Sequence, residues 1–164
     1  MNTEKLFDRS NWQKVKIKHS SDFKIPDAIP SKPGLYMILS NAPSSILKEL
    51  KPLSIKGAYD ISKRVFESEN IPKALLINQS KDELYCIYIG HQKSLRQRFI
   101  EHFKGYNGTA CLSIFNHIPL REFEWEFHYF ELTQLDTYND SKLLRNILES
   151  QLRAKLGWPM LCAQ

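Results

Sequence analysis

Five residues stand out by type and spacing: Tyr36 in Gly34-Leu35-Tyr36, Tyr88 in Tyr88-Ile89-Gly90, Arg98 and His102 downstream of it, and Glu149 towards the C-terminus. A phenol can give or accept a proton, and an imidazole titrates near neutral pH. A guanidinium presents a planar fork to carboxylates and phosphates, and a carboxylate is an oxygen ligand for hard cations. Each residue also has an ordinary structural reading. Tyr88 could be a core tyrosine whose hydroxyl finds a partner. Arg98 and His102 are four apart on one helix face, beside the apolar stripe of Leu95, Phe99 and Phe103. Glu149 could pair with Arg145 and Arg153, at i−4 and i+4, on a solvated face, away from an apolar centre near Ile147 and Gln151.

These side chains must be placed by regular elements. Lys14 to Lys18 alternates lysine with β-branched residues and reads as a solvated edge strand. Prolines 26, 30 and 33 then lead into the apolar strand Gly34 to Leu39. Residues 41–83 are punctuated by Pro43, Pro52, Gly57 and Pro72 around helical stretches at Ile46 to Leu50 and Asp60 to Glu69, and read as an insertion. A strand pattern at Lys73 to Asn78 and a turn at Gln79 to Asp82 precede Leu84 to Gly90, which is apolar on both faces and is expected at the centre of a sheet.

Ser94 and Gln97 form a capping-box signature for a helix over Lys93 to Lys104, ended by Gly105. A short helix is expected at Thr109 to His117, a strand at Glu122 to Leu132, and a final helix at Lys142 to Leu156, capped by Asp140 or Ser141. The fold class is α+β: a small antiparallel sheet, about three strands in its core, flanked by helices. One domain spans 1–164, with an N-terminal extension at 1–32 and the insertion at 41–83 between the first two core strands.

The two tripeptides, Arg98 ten residues and His102 fourteen residues after Tyr88, and Glu149 in Leu148-Glu149-Ser150-Gln151-Leu152 followed by Leu156 and Pro159, together resemble the GIY-YIG nuclease family. The resemblance covers 33–39 and 84–162, with Leu35 replacing the middle Ile of the first tripeptide. It implies a divalent-metal-dependent endonuclease hydrolysing DNA phosphodiester bonds. Glu149 would hold Mg²⁺ or Mn²⁺, and Tyr88 would be the general base, its pKa lowered by nearby cations. Tyr36 would position the attack and Arg98 would hold the scissile phosphate. His102 would assist Tyr88 or bind a phosphate oxygen. Gly90, His91, Lys93 and Arg96 are the expected substrate contacts, with a protonated His91 standing where some members place a Lys. The insertion would tune substrate choice, with Lys48, Lys51 and Lys56 as phosphate contacts. The gap between tripeptides is longer than usual in the family, and the Asn that closes its pattern is absent, with Cys162 near its place.

The net charge of +5 favours polyanionic partners, DNA first and RNA not excluded. No apolar run reaches the length of a membrane span, and the polar N-terminus is unlike a secretory signal, so the expected compartment is the cytoplasm. Cys86, Cys111 and Cys162 are scattered, as reduced thiols would be. Two other classes stay open: a DNA-binding module with a degenerate site, and an interaction protein whose basic charge is incidental. Oligomeric state is not legible.

Overall fold

The computed structural model describes residues 3–55, 57–77, 83–105 and 111–162. In chain order these form α1 (Glu4–Phe7), β1 (Gln13–Ile17), β2 (Gly34–Ser40), α2 (Ser44–Lys48), α3 (Ile61–Ser68), β3 (Tyr85–Gln92), α4 (Leu95–Lys104), β4 (Trp125–Glu131) and α5 (Lys142–Leu156). Short 3-10 turns lie at Arg9–Asn11, Ile114–Asn116, Ile118–Glu122, Leu132–Gln134 and Met160–Cys162. The fold is α+β, built on a four-stranded antiparallel sheet of order β1-β4-β2-β3. No helix among the described residues is long and apolar enough to cross a membrane.

Alternation along β2 divides the core into two. Tyr36 and Ile38 face one way, with Phe127 and Tyr129 of β4, and pack on Phe99 and Phe103 of α4 and Val65 of α3. Leu35, Met37 and Leu39 face the other way, with Phe130, and pack on Leu148 and Leu152 of α5 and on Leu6 and Trp12. All seven residues of β2 are buried because helices cover both sheet faces.

The caps are those the sequence suggests. Ser94 Oγ accepts from Gln97 N at 3.3 Å and Ser141 Oγ from Leu144 N at 3.0 Å. Gly105 and Gly157 end α4 and α5 at φ 75° and 103°, values a side chain rarely tolerates.

Several expectations are corrected. β3 lies at the sheet edge, paired only with β2 within the sheet, although its sequence reads as central. Its unpaired side is covered by side chains: Arg153 Nη2 and Cys162 Sγ each donate to the Ile89 carbonyl at 3.1 Å, and Ile89 N donates to Cys162 Sγ at 3.3 Å. The register shifts between Ile38 and Leu39, which pair with Tyr88 and Cys86, so Ile87 is the extra residue of a bulge. Tyr85 and Tyr88, three apart, consequently pack into the same core.

Lys73 to Ile77, the described part of the expected strand, forms a turn with one bridge, Leu76 to Trp158, in which Ile77 N donates to Trp158 O and Trp158 N to Leu75 O. Asn78 and the Gln79 to Asp82 turn lie outside the described residues. Thr109 and Ala110 do too, and in the rest of that expected helix only Ile114–Asn116 winds, as a 3-10 turn, while Cys111 forms a bridge with Ala58. The strand expected from Glu122 starts at Trp125, since Ile118–Glu122 winds as a 3-10 turn after Pro119. The solvated edge strand expected at Lys14 to Lys18 is found as β1, its Lys14 and Lys16 exposed, and it brings the sheet to four strands.

Candidate active site

Tyr36, on the innermost part of β2, is 1% exposed and its ring lies between Tyr88 and Phe127, with centroids 6.0 Å and 5.3 Å away. Its hydroxyl reaches α4. His102 Nε2 stands 2.8 Å from Tyr36 Oη and Arg98 Nε donates to that oxygen at 3.1 Å. Arg98 and His102 reach it together because i and i+4 share a helix face. The backbone N–H of Leu112 donates to His102 Nδ1 at 3.3 Å, and an amide N–H cannot accept. Nδ1 is therefore the bare nitrogen, and a neutral His102 carries its proton on Nε2 and donates it to Tyr36. Burial, followed by the Arg98 charge, holds the His102 pKa well below its ordinary value, consistent with a neutral ring. The Tyr36 oxygen thus receives two donors and directs its own proton away from both.

Tyr88 sits beside this cluster, its ring centroid 4.9 Å from that of His102, and lines a cavity of about 340 Å³ off the open edge of β3. The other lining residues are Tyr59, His91, Asn146, Glu149, Ser150, Arg153 and Cys162. Five elements meet there: β3, α5, the segment before α3, the last 3-10 turn and, behind Tyr88, α4.

Glu149 faces this cavity and not solvent. The buried face of α5 carries Arg145, Leu148 and Leu152, while Leu143 and Ile147 are 70% and 45% exposed, so the apolar centre expected near Ile147 is displaced. The reason is tertiary: Leu148 and Leu152 meet the sheet, and Glu149 is carried beside them. Its side chain is 14% exposed and ion-paired with Arg153, itself 18% exposed. The solvated arrangement expected from sequence is thus half right, since the Arg153 partner is present and the solvent is not. Arg145 instead pairs with Asp140. Burial raises the Glu149 pKa, opposed chiefly by Arg153 and then Arg98.

His91 also lines the cavity, its Nε2 2.5 Å from Asn146 Oδ1 and 3.7 Å from Glu149 Oε2. Arg145 Nε donates to His91 Nδ1 at 3.4 Å, so Nε2 bears the proton and Asn146 accepts it. The His91 pKa is lowered, by burial first and by Arg145, Lys142 and Arg153 among the charges. A neutral donor is therefore present where a cation was expected. Lys93 is exposed just past the strand.

Arg96 is elsewhere. Its Nη1 donates to the carbonyls of Pro26 and Ile29 at 3.1 and 3.2 Å, tying the N-terminal extension to α4. Gly90 is required by contact, since a Cβ there would meet Tyr36 Cζ at 2.6 Å and Tyr88 Cε1 at 2.9 Å. Of the three lysines, Lys48 pairs with Glu69, Lys51 is exposed and Lys56 lies outside the described residues.

The Tyr88 pKa is pushed up to about 12, because burial outweighs the Arg98 cation that favours the phenolate. The lowered value expected from sequence is not found. Arg98, 7% exposed, uses Nε on Tyr36 and Nη1 on Glu101 at 2.8 Å, so it braces the cluster from within. His102 is wholly buried with both ring nitrogens engaged, which removes phosphate binding from its two expected roles.

No family model, curated protein or solved structure matches this chain. The site must be read from its own chemistry.

For a divalent cation, the donors are one carboxylate, Glu149, the amide oxygen of Asn146 and the carbonyls and waters that a polar cavity admits. Among the described residues there is no group of three or more His, Cys, Asp or Glu that could cage a metal. That donor set suits a hydrated hard ion such as Mg²⁺ or Mn²⁺, which keeps most of its waters and takes one or two carboxylates. It does not suit a zinc site, whose ligands come three or four together.

Tyr59, Asn146, Ser150 and Arg153 were not among the expected site residues. Asn146 and Arg153, three before and four after Glu149, could have been found by completing its helix face. Tyr59 gives no sequence signal. It is brought in by its N–H bonding to Cys111 O at 2.8 Å and by Arg64, whose Cζ lies 4.8 Å from the ring centroid.

Proposed function

We propose that this chain is a GIY-YIG-type endonuclease that hydrolyses DNA phosphodiester bonds with a divalent cation bound at Glu149. The observation that carries the reading is the convergence of residues far apart in sequence. Tyr36, Tyr88, Arg98 and His102 form one contact cluster, and Tyr88 opens into the same cavity as Glu149. A salt-bridge face or a core tyrosine predicts no such meeting. On this reading β2 and β3 carry the two tripeptides side by side, and residues 41–83 are an insertion between them that contributes Tyr59 to the cavity wall.

The cation supplies positive charge against the charge that develops on the phosphoryl oxygens. The protein supplies the rest. Glu149, which lines the cavity together with Tyr88, would hold the cation through its carboxylate. Where additional positive charge offsets the effect of burial, the Tyr88 phenol would first give its own proton to solvent. The phenolate would then hydrogen-bond the attacking water and take one proton from it as the hydroxide adds to phosphorus. His102 and Arg98 fix Tyr36 through its oxygen and so hold its ring stacked beside that of Tyr88. The His91 Nε2–H can turn its hydrogen bond from Asn146 Oδ1 to a phosphate oxygen, the proton staying on the ring and the ring staying neutral. The basic surface, including Lys93, provides the sequence-independent part of the DNA affinity.

The test is incubation of supercoiled plasmid with and without Mg²⁺ or Mn²⁺. Nicked or linear product that depends on the cation is expected. No product with either ion refutes the enzyme assignment and favours the second reading, a DNA-binding module with a silenced site. Cys162 speaks for that module: its thiol, pushed up to about 12, is bonded to Ile89 where the family's pattern places an amide side chain.

A further inference from the structure

Arg153 lies one helical turn beyond Glu149, and its guanidinium is fixed on three sides. Nη2 meets the Glu149 carboxylate and donates to the Ile89 carbonyl at 3.1 Å, while Cζ sits 5.2 Å from the centroid of the Trp158 ring. Its Nε is buried and has no hydrogen-bond partner among the described residues, so the bonding seen there is concentrated on the end that faces the carboxylate. The pair is nearly enclosed, at 14% and 18% exposure, where water screens charge poorly.

We infer that Arg153 is the resident counter-ion of Glu149, and that a divalent cation reaches this carboxylate only by displacing it. The inference rests on the proposed role of Glu149 as the cation's ligand. A guanidinium and a hard cation compete for the same carboxylate, and two positive charges in an enclosed site repel. Displacement need not expel Arg153, because the Ile89 carbonyl and the Trp158 face do not involve Glu149. The freed end of the guanidinium then remains in the cavity wall, where an incoming phosphate can take it up through its fork. The protein without nucleic acid accordingly binds the cation weakly, and the charge released from Glu149 is passed to the substrate.

The experiment is titration of the full chain with Mn²⁺, without DNA, following free ion by electron paramagnetic resonance at pH 8, where an unpaired carboxyl is ionised. Arg153→Gln is expected to bind Mn²⁺ on the order of tenfold more tightly than the parent. Glu149→Gln is expected to lose the site. Unchanged or weaker binding in Arg153→Gln overturns the inference, as does the absence of saturable binding in every variant. Should Arg153→Gln not fold, Arg153→Lys replaces it, keeping charge but losing the fork. Tightening of about twofold or more supports the inference, and anything less overturns it. Neither DNA nor cleavage enters this measurement. Tighter binding in a protein that cuts no plasmid would sink the nuclease reading alone, and plasmid cleavage without tighter binding would sink the counter-ion alone.

Discussion

The Tyr36 ring occupies the space in which a side chain on Gly90 would begin, since a Cβ built there falls 2.6 Å from Tyr36 Cζ. The glycine that ends the second tripeptide is thereby explained by the tyrosine that ends the first, the two being paired across β2 and β3. Gly90→Ala must push Tyr36 out of its place between Tyr88 and Phe127, off His102 and Arg98. Overpacking of this kind costs about 1–3 kcal/mol. A lower Tm and a loss of any cleavage larger than the Tm change explains are expected. Unchanged Tm and rate would show that Tyr36 has room to move and that its position is not set by this contact.

The second prediction concerns acid. The folded-state pKa values of His102, His91, His117 and His128 are all lowered by burial, so below pH about 6.5 the unfolded chain binds more protons than the folded one. Their contribution to stability is complete above that pH and is lost as pH falls from there. Glu149, raised by burial, acts in the opposite sense, its contribution being lost as pH rises through its folded pKa. Comparing the parent with His102→Gln cancels the Glu149 effect. The Gln amide can imitate both ring bonds, to Tyr36 and to Leu112 N. Melting curves from pH 8 to 5 are expected to fall less steeply in the variant. Equal slopes would mean that His102 takes up its proton without penalty in the fold.

The third prediction uses the bulge in β3. Simple alternation puts Tyr85 and Tyr88 on opposite faces, but the extra residue at Ile87 returns both to one face. Their hydroxyls differ in what they serve. Tyr85 Oη donates to the Ala42 carbonyl at 2.6 Å in a buried position, whereas Tyr88 opens into the cavity. Tyr85→Phe leaves a buried carbonyl without its donor, at about 1–3 kcal/mol, and is expected to spare cleavage. Tyr88→Phe is expected to keep Tm and lose cleavage. Rate assays beside melting curves decide, and an equal loss of rate in both folded variants would remove Tyr88 as the base.

The bulge marks where sequence reasoning ends. The caps of α4 and α5 could be read from Ser94, Ser141, Gly105 and Gly157, because these are local signals, whereas Tyr36, Tyr88, Arg98, His102 and Glu149 were linked only by the family resemblance. The sheet position of β3 could not be read. A strand apolar on both faces reads as central, yet here both faces are covered by helices while the edge is covered by Arg153 and Cys162, residues that follow it by more than sixty positions. Arg96 misled for a similar reason. Two residues from Arg98, it looks like a phosphate ligand until Pro26 and Ile29 are folded against it. The burial of Tyr88 likewise reversed a pKa direction that neighbouring charges alone would have set.

The last prediction is Glu149→Gln. Had this carboxylate been a solvated helix partner of Arg153, the change would cost a few tenths of a kcal/mol and nothing in activity. The enclosed pair predicts more, because the Arg153 charge stays buried with an amide oxygen in place of a carboxylate. A loss of about 1–3 kcal/mol is expected, below the cost of removing a buried partner outright, since the amide still accepts a hydrogen bond. Cleavage is expected to vanish with both Mg²⁺ and Mn²⁺, while DNA binding holds or tightens, because one negative charge leaves a cavity that receives phosphates. A binding titration, a kinetic assay and a melting curve separate these effects. Full cation-dependent cleavage by folded Glu149→Gln would falsify the metal assignment, whereas loss of DNA binding together with cleavage would place Glu149 in the architecture of the cavity and not in its chemistry.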